Sequence, residues 1–290
     1  MIPLEQSTAF ENGKRLRARV LQTNCLPPIP QTLLQLLEVI QKERTSANEL
    51  ENVILRDQNL TAKVLQAANS AYYGYCGKIS SVSRAVVAIG FHEIQSICLC
   101  ALLMQHFWSE KGNRQEQVQL WQHSFATAGM ARSISQLRPW ITAEEGYILG
   151  LLHDLGRVVL MCHFPDEYLQ IRNLAIEHDI PIGAAENQFG MPHTLIGKWL
   201  AIKWHLPLVF QVIMEYHHDP LGTSELHKEA TLTCLANVLA HSEDLSSIAD
   251  DDLINECCRQ LYIANAELCQ LGEKARYIRK EAINLVNMFQ

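Results

Sequence analysis

The sequence predicts an all-α protein, and three observations carry that reading. Apolar residues recur at i, i+3 and i+4 through almost the whole chain, a spacing that lays one apolar stripe along a helix. The apolar/polar alternation of a half-buried strand is nearly absent. Helix start signals recur: Ser46-Ala-Asn-Glu49 and Thr142-Ala-Glu-Glu145 each place a hydroxyl three residues before a carboxylate, the reciprocal cap of a first turn.

The elements follow in order. Pro28 and Pro30 set up the entry to a helix over 32–40, and the Ser46 cap opens the next. Further helices are predicted near 57–69, 83–105, 114–137, 142–163, 165–178, 192–204, 207–217 and 228–242, with a broken one over 253–288. The polar run Trp108-Ser-Glu-Lys-Gly-Asn-Arg-Gln-Glu116 separates a helical N-terminal part, 1–113, from a second part, 114–290, that carries most of the notable histidines. A second polar stretch, 242–252, precedes the last helices, and its Asp250-Asp-Asp252 run reads as a helix cap in preference to a cation site.

Composition narrows the function classes. The chain has 290 residues, 48% hydrophobic and 19% charged, which suits a packed globular protein. A net charge of −7, from 24 basic and 31 acidic residues, argues against nucleic acid as the main partner. The best apolar run, Ile97-Cys-Leu-Cys-Ala-Leu-Leu-Met104, falls far short of the ~20 residues a membrane span needs. Met1-Ile-Pro-Leu-Glu-Gln-Ser has no basic region followed by an apolar one, so the expected location is the cytoplasm, with no membrane partner. The nine cysteines are odd in number, and Cys98, Cys100, Cys162 and Cys234 lie in apolar helical patterns, as reduced buried thiols do. Cys98-Leu-Cys100 and Cys257-Cys258 lack the paired spacing of a structural zinc site.

The chemistry concentrates in Gly150-Leu-Leu-His153-Asp154-Leu-Gly156-Arg157. An imidazole beside a carboxylate in an apolar helix is costly to bury without a metal, a phosphate or a salt-bridge partner. Gly150 and Gly156 leave room there for a ligand or a neighbouring helix. Each residue also has a plainer reading. Arg157 stands three residues past Asp154 and can pair with it. His123 alone suits an ordinary hydrogen-bonded histidine, and His193 opens a helix as a terminal residue does. His217 and His218 close a helix, where a histidine complements the dipole. What the separate readings leave unexplained is five histidines and one carboxylate at the ends and middles of successive helices, the way a metal site gathers ligands in a bundle.

These residues resemble the HD superfamily of metal-dependent phosphohydrolases, and more closely its HDOD branch (HD-related output domain). In the first half the resemblance rests on Leu26-Pro-Pro-Ile-Pro30, Ile54-Leu-Arg-Asp57, Leu60-Thr-Ala-Lys-Val-Leu-Gln-Ala-Ala-Asn-Ser70 and Ala85-Val-Val-Ala-Ile-Gly90. In the second half it rests on the His153-Asp154 motif, Gly197-Lys-Trp-Leu200 and Trp204-His-Leu-Pro207 leading to His217-His218. The resemblance implies that His123 is a first metal ligand, His153 and Asp154 the central pair, and His193, His217 and His218 additional ligands. It implies that Arg157 contacts phosphate if the protein is active. Where the family has a late aspartate this chain reads Leu235-Ala-Asn237, a neutral amide that makes at best a weak ligand. Asp219-Pro-Leu-Gly222 follows the histidine pair, so the Gly-Tyr-Pro signature of cyclic-dinucleotide hydrolases is missing.

The function the resemblance implies is a bacterial regulatory, signal-transducing module with no turnover. It would have a protein partner and an altered HD-type pocket for a metal or a nucleotide. The alternative it implies is a metal-dependent phosphohydrolase acting on nucleotides or phosphodiesters. One or two divalent ions, iron, manganese or zinc, would supply a hydroxide there near neutral pH. Tyr72-Tyr-Gly-Tyr75 with Lys78 forms a polar aromatic loop that either reaches a partner or packs on itself.

Overall fold

The computed structural model describes residues 11, 13–20, 26–40, 42, 46–70, 72–74, 78–109, 113–242 and 251–289. Among them there are helices and turns and no strand. The chain divides into two compact units that do not follow chain order: Ile29–Trp108 joins Arg276–Gln290, and Ser109–Ala275 joins the residues before Ile29.

In the first of these, α2 (Gln31–Ile40), α3 (Ala47–Leu55), α4 (Gln58–Ala68) and α5 (Val82–Ile89) surround α6 (Phe91–Phe107). Every residue of α6 from Ile94 to Met104 is buried, which places Cys98 and Cys100 in the core. The caps are those the sequence predicts at Ser46, with Asp57 and Ser81 doing the same for α4 and α5. Each such cap contributes about 1 kcal/mol by satisfying an otherwise orphaned N–H. The helix expected over 83–105 is two helices. Gly90 at φ 100° and ψ 152° breaks it, and the chain turns by 119° between α5 and α6.

The other unit holds a short helix over 13–20 (α1) and the run α7 (Arg114–Ser135), α8 (Ala143–Leu152), α9 (Leu155–His163), α10 (Pro165–His178), α11 (Ile182–Phe189), α12 (His193–Lys203) and α13 (Leu208–Tyr216). A 3-10 turn over Pro220–Gly222 follows, then α14 (His227–His241), α15 (Asp252–Gln260) and the start of α16 (Asn265–Asn287). Thr142 and Glu145 form the predicted capping box of α8. Asp251 caps α15 by accepting from the N–H groups of Leu253 and Ile254, while Asp250 lies outside the described residues.

Two differences from the sequence reading bear on the site. The helix expected over 142–163 is interrupted at the His153-Asp154 dipeptide, where Asp154 takes φ −98° and ψ 12°. Helix α11, which supplies a buried glutamate, is not among the helices the sequence predicts.

Glycines set how closely these helices approach. A Cβ on Gly150 would lie 2.6 Å from the Thr127 carbonyl oxygen and 2.8 Å from Ala128 Cα, so α8 packs backbone to backbone on α7. A Cβ on Gly156 would overlap the His193 carbonyl oxygen and lie 2.5 Å from the Gly197 nitrogen, so α9 meets the start of α12 equally closely. The room left by both glycines is taken by a neighbouring helix. The Leu26-Pro27 stretch is tied to the end of α12: Trp204 Nε1–H donates to the Pro27 carbonyl at 2.8 Å and Lys203 Nζ to that of Leu26 at 2.6 Å. Among the described residues no single helix is long and apolar enough to cross a membrane.

Candidate metal centre

The unwound turn between α8 and α9 puts His153 and Asp154 side by side among buried side chains. His153 Nε2 stands 3.6 Å from Asp154 Oδ2. Asp154 caps nothing with its side chain, so both carboxylate oxygens face the interior. From α12, His193 Nε2 comes within 3.1 Å of Asp154 Oδ1, and from the end of α13, His217 Nε2 comes within 3.5 Å of the same oxygen. All four side chains are no more than 2% exposed.

Tautomers follow from the partners of the other ring nitrogens. His153 Nδ1–H donates to the Gly150 carbonyl at 2.7 Å, and His217 Nδ1–H to that of Ile213 at 3.0 Å. Each ring is left with an Nε2 lone pair aimed at Asp154. Anchoring one imidazole nitrogen on an oxygen acceptor to orient the other is how proteins present histidine to metals. Burial pushes the His153 pKa down to about 3 and the His217 pKa down to about 4, with neighbouring histidines adding to the effect. Both rings are therefore neutral at pH 7, the form that coordinates.

His193 is held by a residue the sequence reading did not single out. Glu186 Oε2 accepts from the His193 backbone N–H at 3.1 Å and from its Nδ1. The other Glu186 oxygen takes Arg157 Nε–H at 3.0 Å, and Arg157 Nη1 reaches Asp154 Oδ2 at 3.0 Å. Burial opposes the ionisation of both carboxylates. His193 and Arg157 outweigh it at Glu186 and hold its pKa at about 2; Arg157 and the surrounding histidines hold Asp154 well below the usual range. Burial and Arg157 work against a charge on His193, yet Glu186 and Asp154 win and raise its pKa. His193 Nδ1 has both Glu186 Oε2 and Arg157 Nη2 beside it, the latter at 2.9 Å, and an unprotonated Nε2 would face the Asp154 oxygen directly. That junction needs a positive charge, which a proton or a metal ion supplies.

Donor atoms of Asp154, His193, His217 and His218 lie within 4.8 Å of one another, as do those of His123, His153 and Asp154, so the six side chains form two groups that share Asp154. His218 sits on the exposed side, its ring 4.2 Å from that of His217. His123, on α7, meets the His153 ring edge-on at 5.3 Å and stacks on His241 of α14 at 3.9 Å. Burial, then His153 and His241, hold His123 well below its ordinary pKa. Asn237 lies one turn before His241 on α14, on the same helix face, with a buried side-chain oxygen that has no hydrogen-bond partner.

The fit to a divalent ion rests on these orphans. His153 Nε2 and Asn237 Oδ1 are buried acceptors with no hydrogen bond, and Asp154 Oδ1 has the imidazole nitrogens of His193 and His217 beside it. Leaving a buried acceptor unmade costs about 1–3 kcal/mol. Nitrogen and oxygen donors with one carboxylate suit iron, manganese or zinc. Arg157 offsets one of the two carboxylates and leaves one negative charge to attract a cation.

A family model for the HDOD domain matches residues 26–220, about two thirds of the chain. The chain belongs to the HDOD domain family. The match covers His123 through His218 and stops before Asn237 and His241. An HDOD domain protein of unknown function from Geobacter sulfurreducens superposes with a TM-score of 0.77 at 22% identity, over 96% of this chain and 98% of that one. A candidate phosphohydrolase from Shewanella amazonensis superposes with a TM-score of 0.71 at 20% identity, over 95% and 97%. At these identities the likeness is one of fold. An uncharacterized protein of Treponema pallidum (strain Nichols) is 25% identical over 205 residues, 70% of this HDOD chain, which spans only 39% of that relative's length.

Proposed function

We propose that this HDOD protein is a regulatory module whose HD-type cluster holds a divalent metal as a binding and structural centre, without turnover. The observation that carries the reading is the position of Arg157. Its guanidinium is spent on Asp154, Glu186 and the His193 ring, inside a site whose central ligands are at most 2% exposed. A hydrolytic metal site keeps an open coordination position and cations free to meet the phosphate oxygens. Here Arg157 neutralises protein carboxylates instead. A bound ion would supply the positive charge that the His193–Asp154 junction calls for. The chain's own residues orient the ligands, exclude water and keep His153 and His217 unprotonated. Transmission to a protein partner in the cytoplasm is part of this proposal.

One observation favours the second reading, a metal-dependent phosphohydrolase: His218 stands on the exposed side of the cluster and gives a ligand access from solvent. Elemental analysis of protein purified without chelator, followed by assays on bis(p-nitrophenyl) phosphate and nucleoside phosphates, separates the two. The regulatory reading expects bound metal and no turnover above that of Asp154→Ala. Turnover that the wild type shows and Asp154→Ala lacks would establish the hydrolase. No retained metal after reconstitution would reject both.

A further inference from the structure

The Tyr72 loop plays no part in the metal centre, yet the structure gives it a built surrounding. Asn69 clamps the base of the loop: its Oδ1 accepts the Ile79 N–H and its Nδ2 donates to the Ile79 carbonyl, both at 2.8 Å. Above that clamp Tyr72 and Tyr73 stand edge to face, centroids 4.8 Å apart at 78°. With Tyr277, Lys280 and Glu281 of α16 and Glu93 of α6 they line an open cleft of about 500 Å³, wholly within the Ile29–Trp108 and Arg276–Gln290 unit. Tyr277 is 73% exposed and Tyr72 41%, so much ring surface is left to solvent.

The cleft lining is net negative. Burial first, then the carboxylates of Glu281 and Glu93, pushes the Tyr72 phenol up to about 12, and that phenol hydrogen-bonds Glu281. Two carboxylates therefore face one ring, and Lys280 leaves the lining with one net negative charge. Aromatic faces beside carboxylates attract guanidinium and ammonium groups. Residues 277, 280, 281 and 284 run along one face of α16 for about 10 Å, the length of a short extended segment rather than one small amine.

We propose that this cleft docks a basic segment of a partner protein, seating an arginine or lysine side chain on the tyrosine rings with Glu93 and Glu281 as counter-charges. The proposal is independent of the metal centre. Isothermal titration of the full chain with a tetra-arginine peptide tests it, with tetra-glutamate and tetramethylammonium as comparison ligands. Tetra-arginine is expected to bind. The Glu93→Gln/Glu281→Gln variant should weaken it about tenfold, and Tyr72→Ala/Tyr277→Ala about fivefold or more. Glu177→Gln/Glu225→Gln removes the same charge from exposed positions elsewhere and should change binding less than about twofold. Circular dichroism confirms that each variant is folded. No binding of tetra-arginine, equal weakening by the Glu177/Glu225 control, preference for tetra-glutamate, or equal affinity for tetramethylammonium would each overturn the proposal.

Discussion

His193 Nε2 stands 3.1 Å from Asp154 Oδ1. With the other face of the imidazole held by Glu186, this junction is stable only when a positive charge occupies it. A divalent ion that displaces the proton binds the folded chain and not the unfolded one, so it must raise stability. At a free concentration 100 times Kd the gain is about 2.7 kcal/mol, or roughly 5 °C or more in Tm for a chain of this size. Thermal denaturation of chelator-treated protein with and without added Mn²⁺ or Zn²⁺ measures it. Asp154→Asn should lose most of the increment. An equal increment in that variant would place the ion elsewhere.

The close crossing of α9 and α12 predicts a severe effect from a single methyl group. In Gly156→Ala the new Cβ meets backbone, the His193 carbonyl and the Gly197 nitrogen, which cannot swing away as a side chain can. Overpacking of this kind costs about 1–3 kcal/mol, and more where backbone has to move. Because α12 carries His193, the shift also displaces a ligand of the proposed metal. Urea titration should show the stability loss, and metal titration of the same variant a weaker Kd. Unchanged values for both would mean that the helices are not packed this tightly.

Acid should destabilise the protein well above the range where carboxylates titrate. His123, His153 and His217 have folded pKa values below the unfolded value of about 6.5. The unfolded chain then binds more protons than the folded one as pH falls below 6.5, so stability is complete above that pH and declines beneath it. The loss continues toward pH 4, the region of the His217 pKa. Each such histidine contributes a slope of about 1.4 kcal/mol per pH unit. His193, with a raised pKa, works in the opposite sense and subtracts from the total. Differential scanning calorimetry of the metal-free protein should show Tm falling between pH 6.5 and 5, less steeply in His153→Gln. A flat Tm over that interval contradicts the buried, neutral rings.

The helical class was legible because periodicity and caps are local signals, and Ser46, Thr142 and Asp251 cap where their spacing places them. Two breaks were less legible. Gly90 interrupts an apolar run that continues on both sides, and the unwinding at Asp154 follows from side chains that meet only after folding. Histidine spacing pointed to His123, His153, His193, His217 and His218, since imidazoles in apolar helices are conspicuous. Glu186 was hidden in Ala185-Glu186-Asn187-Gln188, where a lone glutamate looks like any solvated one. Its role depends on Arg157 and His193, which lie 29 and seven residues away. His241 was hidden for a similar reason, since only the packing of α14 on α7 brings it over His123.

The Arg157 ion pairs make a prediction that couples stability to metal. Arg157 sits between Asp154 and Glu186, at 3.0 Å from each, with its side chain 13% exposed. Removing one partner of a buried ion pair costs about 3–5 kcal/mol, because the remaining charge stays uncompensated. Arg157→Ala should therefore be strongly destabilised without metal. A divalent ion brings two positive charges to Asp154, one of the same carboxylates, so metal should stabilise Arg157→Ala by more than it stabilises the wild type. A double-mutant cycle with Asp154→Asn isolates the coupling: in Arg157→Ala/Asp154→Asn the cost should fall below the sum of the single losses. Additive losses, or an equal metal increment in Arg157→Ala and wild type, would show that arginine and ion do not share this carboxylate.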